Sequence, residues 1–182
     1  IGIDFSVAAL HAAQDATSDA LKHVDRLFSG RISGPTPVSQ QWVLGRSVET
    51  LPFADHSFDR IVANLSLSFS RSPLHALREL FRVLRPGGKL IVSVITPLAD
   101  MALPYRSSLQ ELGVDAFSGD ARLALNRMAQ CCVALRVGQL HAFQEESLGA
   151  ALAQVTSTPA RLVRTFSGQI LVALAEKPDS AG

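Results

Sequence analysis

The 182-residue sequence predicts an α/β fold on a largely parallel sheet, and three stretches predict it. A strand, a helix, a tight turn and a second strand follow one another between Ile61 and Thr96. The chain opens on a strand pattern, Ile1-Gly2-Ile3-Asp4-Phe5, and closes on two strand-like runs joined by Ser167-Gly168. A strand–helix–strand crossover joins parallel strands and is overwhelmingly right-handed, and such alternation marks the α/β class.

Composition sets the outer bounds. Hydrophobic residues are 47%, charged residues 18% and the formal net charge +1, an ordinary globular balance that disfavours a nucleic-acid binder. The local cluster Arg71, Arg78, Arg82, Arg85 and Lys89 reads as the solvated side of one helix and its following turn. The two cysteines, Cys131 and Cys132, are adjacent; neighbours cannot close an unstrained disulfide, which suits a reducing cytoplasm. No apolar run approaches the roughly 18 residues that span a bilayer, and no metal-ligand spacing stands out.

The elements follow in order. Residues 1–5 read as a buried strand ending in a carboxylate. Between Val7 and Phe28, Leu10, Ala13, Leu21, Val24 and Phe28 recur at loose helical spacing. Gly30, Gly34, Pro35 and Pro37 break that pattern, and Trp42-Val43-Leu44 makes a short strand. Ile61-Val62-Ala63 is a continuous apolar run, the pattern of a strand covered on both faces.

Ser72 is a natural N-cap and Pro73 a natural first helical residue. Leu74, Leu77, Leu80, Phe81 and Leu84 then form one apolar helix face. Pro86-Gly87 supplies the centre of a type II turn, and a strand runs from Lys89 to Thr96. Residues 98–140 read as interrupted helical segments, and Phe143 to Val155 as a short helix. Arg161–Phe166 and Gln169–Ala175 form a hairpin about a two-residue turn.

The run Glu49-Thr50-Leu51-Pro52-Phe53-Ala54-Asp55-His56-Ser57-Phe58-Asp59 resembles a segment of small-molecule class I S-adenosylmethionine-dependent methyltransferases. Ala76-Leu77-Arg78-Glu79-Leu80 and Arg82-Val83-Leu84-Arg85-Pro86-Gly87-Gly88-Lys89-Leu90 are similar to the helix and turn before the family's fifth strand. Ala63-Asn64-Leu65-Ser66-Leu67-Ser68-Phe69 echoes malonyl-carrier-protein methyltransferases, while ubiquinone and menaquinone methyltransferases share the middle block. The resemblance implies a doubly wound, mostly parallel, Rossmann-like sheet with a C-terminal antiparallel hairpin. In the family a first strand and a glycine-rich loop precede the segment resembling Ile1–Ser6, and no such loop occurs in this sequence. The implied domain therefore covers 1–178 and lacks that strand and loop at its N-terminus. Within it, 98–140 would form a helical lid or insertion, and 179–182 a tail.

The same resemblance implies the chemistry: methyl transfer from S-adenosylmethionine to a small-molecule or carrier-bound acceptor. Asp4 falls where the family's carboxylate accepts the ribose hydroxyls, a charge-assisted and orienting contact; an Asp at a strand end also serves simply to cap the next helix. Phe5 falls where an apolar side chain lies against adenine. Ser47 and Val48 fall at the positions flanking adenine, with serine where the family usually carries an acid. Asn64, Leu65 and Ser66 fall on the loop that approaches cofactor and substrate. No catalytic base is assigned. His11, His23, His56 and His75 read as outward-facing, and His141, Tyr105 and Arg106 lie near the expected lid.

A missing central strand would leave two strands with unpaired amides and carbonyls, each costing roughly 1–3 kcal/mol if buried. An upstream segment or a partner chain completing the sheet is expected on that ground. The alternative is a non-catalytic, methyltransferase-like interaction module. A nicotinamide-binding domain shares the strand-end Asp but leaves the Pro-Gly-Gly turn and the terminal hairpin unexplained.

Overall fold

A computed structural model of the chain describes residues 1–4, 6–16, 41–100 and 140–179, with a few single or paired positions between 103 and 138. They divide into two compact units, Ile1–Ser47 and Val48–Gly182.

In the first unit, strand β1 (Gly2–Asp4) runs parallel to β2 (Trp42–Leu44), with Gly2 opposite Trp42 and Asp4 opposite Leu44. Glycine suits position 2 because the Trp42 indole lies against that backbone, and an added Cβ would overlap the ring. Residues 7–16 are helical. Ser6 opens that helix: its hydroxyl accepts the Ala9 N–H at 3.3 Å and its carbonyl the Leu10 N–H at 3.0 Å. The rest of the predicted helix, 17–28, lies outside the described residues.

The second unit runs β3 (Phe58–Asn64), α1 (Ser66–Phe69), α2 (Pro73–Val83), β4 (Leu84–Ile95), α3 (Glu145–Ala153), β5 (Arg161–Thr165) and β6 (Ile170–Glu176). Its sheet has the order β3-β4-β6-β5. Strands β3 and β4 are parallel, and the other two pairs are antiparallel. The crossover and the terminal hairpin are therefore both present. One face of this sheet carries Ala63, Leu90, Val92, Val94, Leu171, Ala173 and Ala175, buried with Ala76, Leu77, Leu80 and Phe81 of α2 and Leu148 and Leu152 of α3.

The other face departs from expectation. Register sets Val62 opposite Ile91 and Ile91 opposite Leu174, yet these are 70%, 39% and 38% exposed. Both crossover helices pack on the first face, so the Ile61–Ala63 run is not covered on both faces among the described residues. Only the alternation of Ala63 inward and Val62 outward survives there.

Local details shift in the same way. Position 72 is the N-cap of α2, but the Ser72 hydroxyl makes no capping bond. The carboxylate of Glu49 instead anchors the chain entering the helix, accepting the N–H of Ser72 itself at 2.9 Å and the Ser70 hydroxyl at 2.6 Å. Leu74 is only half-buried, whereas Ala76 and Val83 are fully buried. Strand β4 begins at Leu84 rather than Lys89 because the Pro86-Gly87 turn is absorbed as a bulge. Register jumps from Phe58 opposite Leu84 to Arg60 opposite Lys89, and Gly87 has φ +69.

The hairpin turn is also longer than two residues. Thr165 pairs with Ile170, so four residues connect the strands, with Phe166, Ser167 and Gly168 all at positive φ. Helix α3 spans a narrower range than 143–155, opening on a capping box between Gln144 and Ser147.

Candidate functional site

Parallel strands present their carboxyl ends, and the loops leaving them, on one edge, and in open α/β sheets ligands bind there. Each unit has such an edge.

In the first unit the edge carries Asp4. Its Oδ1 accepts the Ser6 N–H at 2.8 Å, an Asx-type turn that orients the carboxylate, and its carbonyl accepts the Gly45 N–H at 2.9 Å. The local capping role and the ligand role are thus not exclusive, because Oδ2 makes no bond among the described residues. Ser47 lies three residues beyond the end of β2. Phe5 lies outside the described residues.

In the second unit the edge is the turn Asn64-Leu65-Ser66, between β3 and α1. Leu65 adopts the left-handed conformation, φ 55 and ψ 0, which costs a non-glycine residue roughly 1–2 kcal/mol. Ser93 of β4 offsets that cost. Its carbonyl and its Oγ both accept the Leu65 N–H at 3.0 Å, and its hydroxyl donates to Asn64 Oδ1 at 2.5 Å. The Leu65 side chain packs with Ile95, Ala99, Leu140 and Ala142. Among the described residues the buried Ser66 Oγ has no hydrogen-bond partner, an uncommon state for a hydroxyl and one that a ligand can relieve.

The segment after residue 140 closes along the same edge. The His141 N–H donates to the Ser68 carbonyl at 2.9 Å, and the Phe143 N–H to the Ile95 carbonyl at 3.1 Å. Leu140 and Ala142 pack inward while His141 is exposed. His11, His56 and His75 are exposed too, whereas His23, Tyr105 and Arg106 lie outside the described residues. Val48 packs its side chain against the main core.

Sequence reasoning missed Ser93. The signal was present, as one hydroxyl in the apolar run Leu90-Ile91-Val92-Ser93-Val94-Ile95, but nothing in one dimension pairs it with Asn64.

The most recognisable block of the sequence sits at the opposite, amino end of β3. Arg82 donates to the carbonyls of Leu51 (3.2 Å) and Phe53 (2.8 Å), to Asp55 (2.7 Å) and to Glu79 (2.9 Å). Asp59 takes both oxygens to Arg85 at 2.8 and 3.0 Å, and Phe53 meets Phe58 edge-on at 4.8 Å. Lys177 donates to the Phe81 and Leu84 carbonyls at 2.5 and 2.8 Å, closing the C-terminal end of α2. Burial lowers the Lys177 pKa, and the nearby Asp55 charge opposes that shift. These residues clip the loop before β3 onto α2. A shallow groove on the outer side of α2, lined by Ser72, Leu74, His75, Arg78, Glu79 and Arg82, contains none of the expected cofactor contacts.

Among the described residues no helix is long and apolar enough to cross a membrane. Comparison with known proteins agrees with the architecture. A family model described as a methyltransferase domain matches residues 1–92. A malonyl-[acyl-carrier protein] O-methyltransferase of Erwinia pyrifoliae is 51% identical over 49 residues, covering 27% of this chain and 19% of the relative. A ubiquinone/menaquinone biosynthesis C-methyltransferase of Roseobacter denitrificans is 38% identical over 80 residues, covering 44% and 32%. These matches span a third or less of the relatives' lengths. A crystal structure of a SAM-dependent methyltransferase from Methanosarcina mazei superposes with a TM-score of 0.55 at 19% identity, covering 98% of this chain and 82% of that one. That likeness concerns the fold. With the family model matching half of its length, the chain belongs to the methyltransferase domain family.

Proposed function

We propose that the protein carrying this chain transfers a methyl group from S-adenosylmethionine to a small-molecule or carrier-bound acceptor. One observation carries the reading: each parallel strand pair ends in a polar atom that the described residues leave uncommitted, Asp4 Oδ2 in one unit and Ser66 Oγ in the other. An ionised acceptor at the end of β1 suits a pair of ribose hydroxyls, and an orphaned hydroxyl at the end of β3 suits a polar ligand atom. In this reading Asp4 holds the ribose and Phe5, Ser47 and Val48 surround the adenine. Asn64, Leu65 and Ser66 line the approach to the reacting centre.

The bound cofactor supplies an electrophilic methyl group; the chain's own residues orient and enclose the reactants. The left-handed turn at Leu65 sets the direction in which Asn64 and Ser66 leave β3. The cluster of Leu65, Ile95, Ala99, Leu140 and Ala142 gives that turn a dry backing. The names of the two relatives suggest two acceptor types, a carrier-bound carboxyl and a quinone-precursor ring, and both are compatible with the sequence block they share.

The sheet of the second unit invites a further strand. Among the described residues β3 pairs only with β4, and its Val62 is 70% exposed, whereas strands of parallel sheets are normally flanked and covered. We therefore assign the open edge of β3 to a strand from elsewhere in the protein or from a partner chain.

Isothermal titration of the full-length protein with S-adenosylmethionine tests the assignment. Saturable binding, lost in Asp4→Ala and weakened in Ser66→Ala, is the expected result. Absence of binding to the unmodified protein overturns it.

A further inference from the structure

We propose that Ser93 is a positioning residue that locks the Asn64 side chain as a hydrogen-bond donor, so that the turn after β3 recognises an acceptor oxygen, such as a carboxylate, rather than an amine. The inference rests on the proposed reading that this turn meets cofactor and methyl acceptor.

The chain of bonds dictates the polarity. Ser93 is 9% exposed and faces Asn64 across the parallel pair. Its Oγ accepts the Leu65 N–H at 3.0 Å, and a hydroxyl that accepts in this way keeps its single proton to give elsewhere. That proton goes to Asn64 Oδ1. With Oδ1 engaged, the exposed Asn64 has its two amide N–H donors to offer. A donor pair meets carboxylate, carbonyl or ionised hydroxyl oxygens; a neutral amine about to be methylated needs an acceptor instead.

The same hydroxyl shares with the Ser93 carbonyl the task of holding the main chain. By accepting the Leu65 N–H it stabilises the strained left-handed residue that separates Asn64 from Ser66. One buried side chain thus sets the polarity of Asn64 and, together with its own main-chain carbonyl, supports the path of the turn.

Four variants of the full-length protein test this: Asn64→Ala, Asn64→Asp, Ser93→Val and Ser93→Thr. The readouts are the dissociation constant for S-adenosylmethionine by calorimetry and, in turnover, KM and kcat. Val and Thr have the same shape, so their comparison isolates the hydroxyl. Asn64→Asp keeps shape but exchanges donors for acceptors, and it should lose at least as much as Asn64→Ala, about tenfold or more. Ser93→Val should lose severalfold while Ser93→Thr recovers the parent value. In an Asn64→Ala background, Ser93→Val should add nothing.

A loss confined to the dissociation constant assigns the acceptor oxygen to the amino-acid end of the cofactor. A loss confined to KM assigns it to the methyl acceptor. Equal behaviour of Ser93→Val and Ser93→Thr, or an Asn64→Asp variant at parent level beside a defective Asn64→Ala, overturns the proposal and leaves the site reading intact. An Asn64→Ala variant at parent level in both readouts overturns the placement of the site at this turn, and the proposal with it.

Discussion

The guanidinium of Arg82 donates to the main-chain carbonyl of Phe53 at 2.8 Å, tying the last turn of α2 to a loop 29 residues earlier. The same side chain serves Leu51, Asp55 and Glu79. A lysine retains the charge but not the planar fork, so Arg82→Lys should lower stability by about 1–2 kcal/mol. Thermal denaturation checks this. Arg78→Lys is the control on the same helix: Arg78 is exposed, unpaired among the described residues, and should change stability by less than about 0.5 kcal/mol.

Acid should unfold the second unit partly through Glu79. The hydrogen bond from Arg82 holds this carboxyl below its ordinary value of 4.5; burial opposes that shift, and the Leu51 N–H reinforces it. A carboxyl with a depressed folded pKa stabilises the fold above its unfolded value and loses that contribution as pH falls through the folded value. Urea midpoints should therefore decline as pH drops below about 4.5. Glu79→Gln should be less stable at pH 7 and show a shallower decline. An identical slope in the variant would remove Glu79 from the account.

Adjacent glycines in the Pro-Gly-Gly turn should respond unequally to alanine. At Gly87, φ is +69 and an added Cβ would meet the side-chain oxygen of Asp179 at 2.7 Å, a group free to move aside. The cost there is the left-handed backbone, about 1–2 kcal/mol. At Gly88 the Cβ would meet the Arg85 carbonyl oxygen at 2.7 Å and the Leu84 side chain at 2.8 Å, and main chain inside a strand cannot yield as easily. Gly88→Ala should be the more destabilising of the two in chemical denaturation.

The chain entering helix α2 is anchored from outside the helix, by Glu49. Because the Ser72 hydroxyl makes no capping bond, Ser72→Ala should be nearly neutral. Glu49→Ala removes the acceptor for the Ser70 hydroxyl and one of two acceptors for the Ser72 N–H, the other being Ser70 Oγ at 3.1 Å, and should cost about 1 kcal/mol. Equilibrium unfolding of both variants distinguishes this arrangement from a conventional serine cap.

Much of the fold was legible in one dimension because it rests on local chemistry. Pro73 opens a helix whatever surrounds it, Gly87 can take a positive φ, and Leu77, Leu80 and Phe81 share a face by helical period alone. Candidate positions such as Asp4 and Asn64 were legible only through family resemblance. That the two residues sit at strand ends follows from local pattern, but their roles do not.

The sequence by itself determined the parallel crossover, the closing hairpin and the family. The first two are written in periodicity and turn residues that act over a few positions; the family is legible through the resemblance of the blocks at 49–59 and 76–90 to known methyltransferases. Tertiary structure alone decided three other matters. Packing of α2 and α3 on one face of the sheet left Val62 in the open. The Arg82 fork clips the loop before β3 onto α2. Register between β3 and β4 brought Ser93, 29 residues away, onto Asn64. Hydrogen bonds and burial across strands depend on which residues meet in space, and no spacing along the chain encodes that meeting.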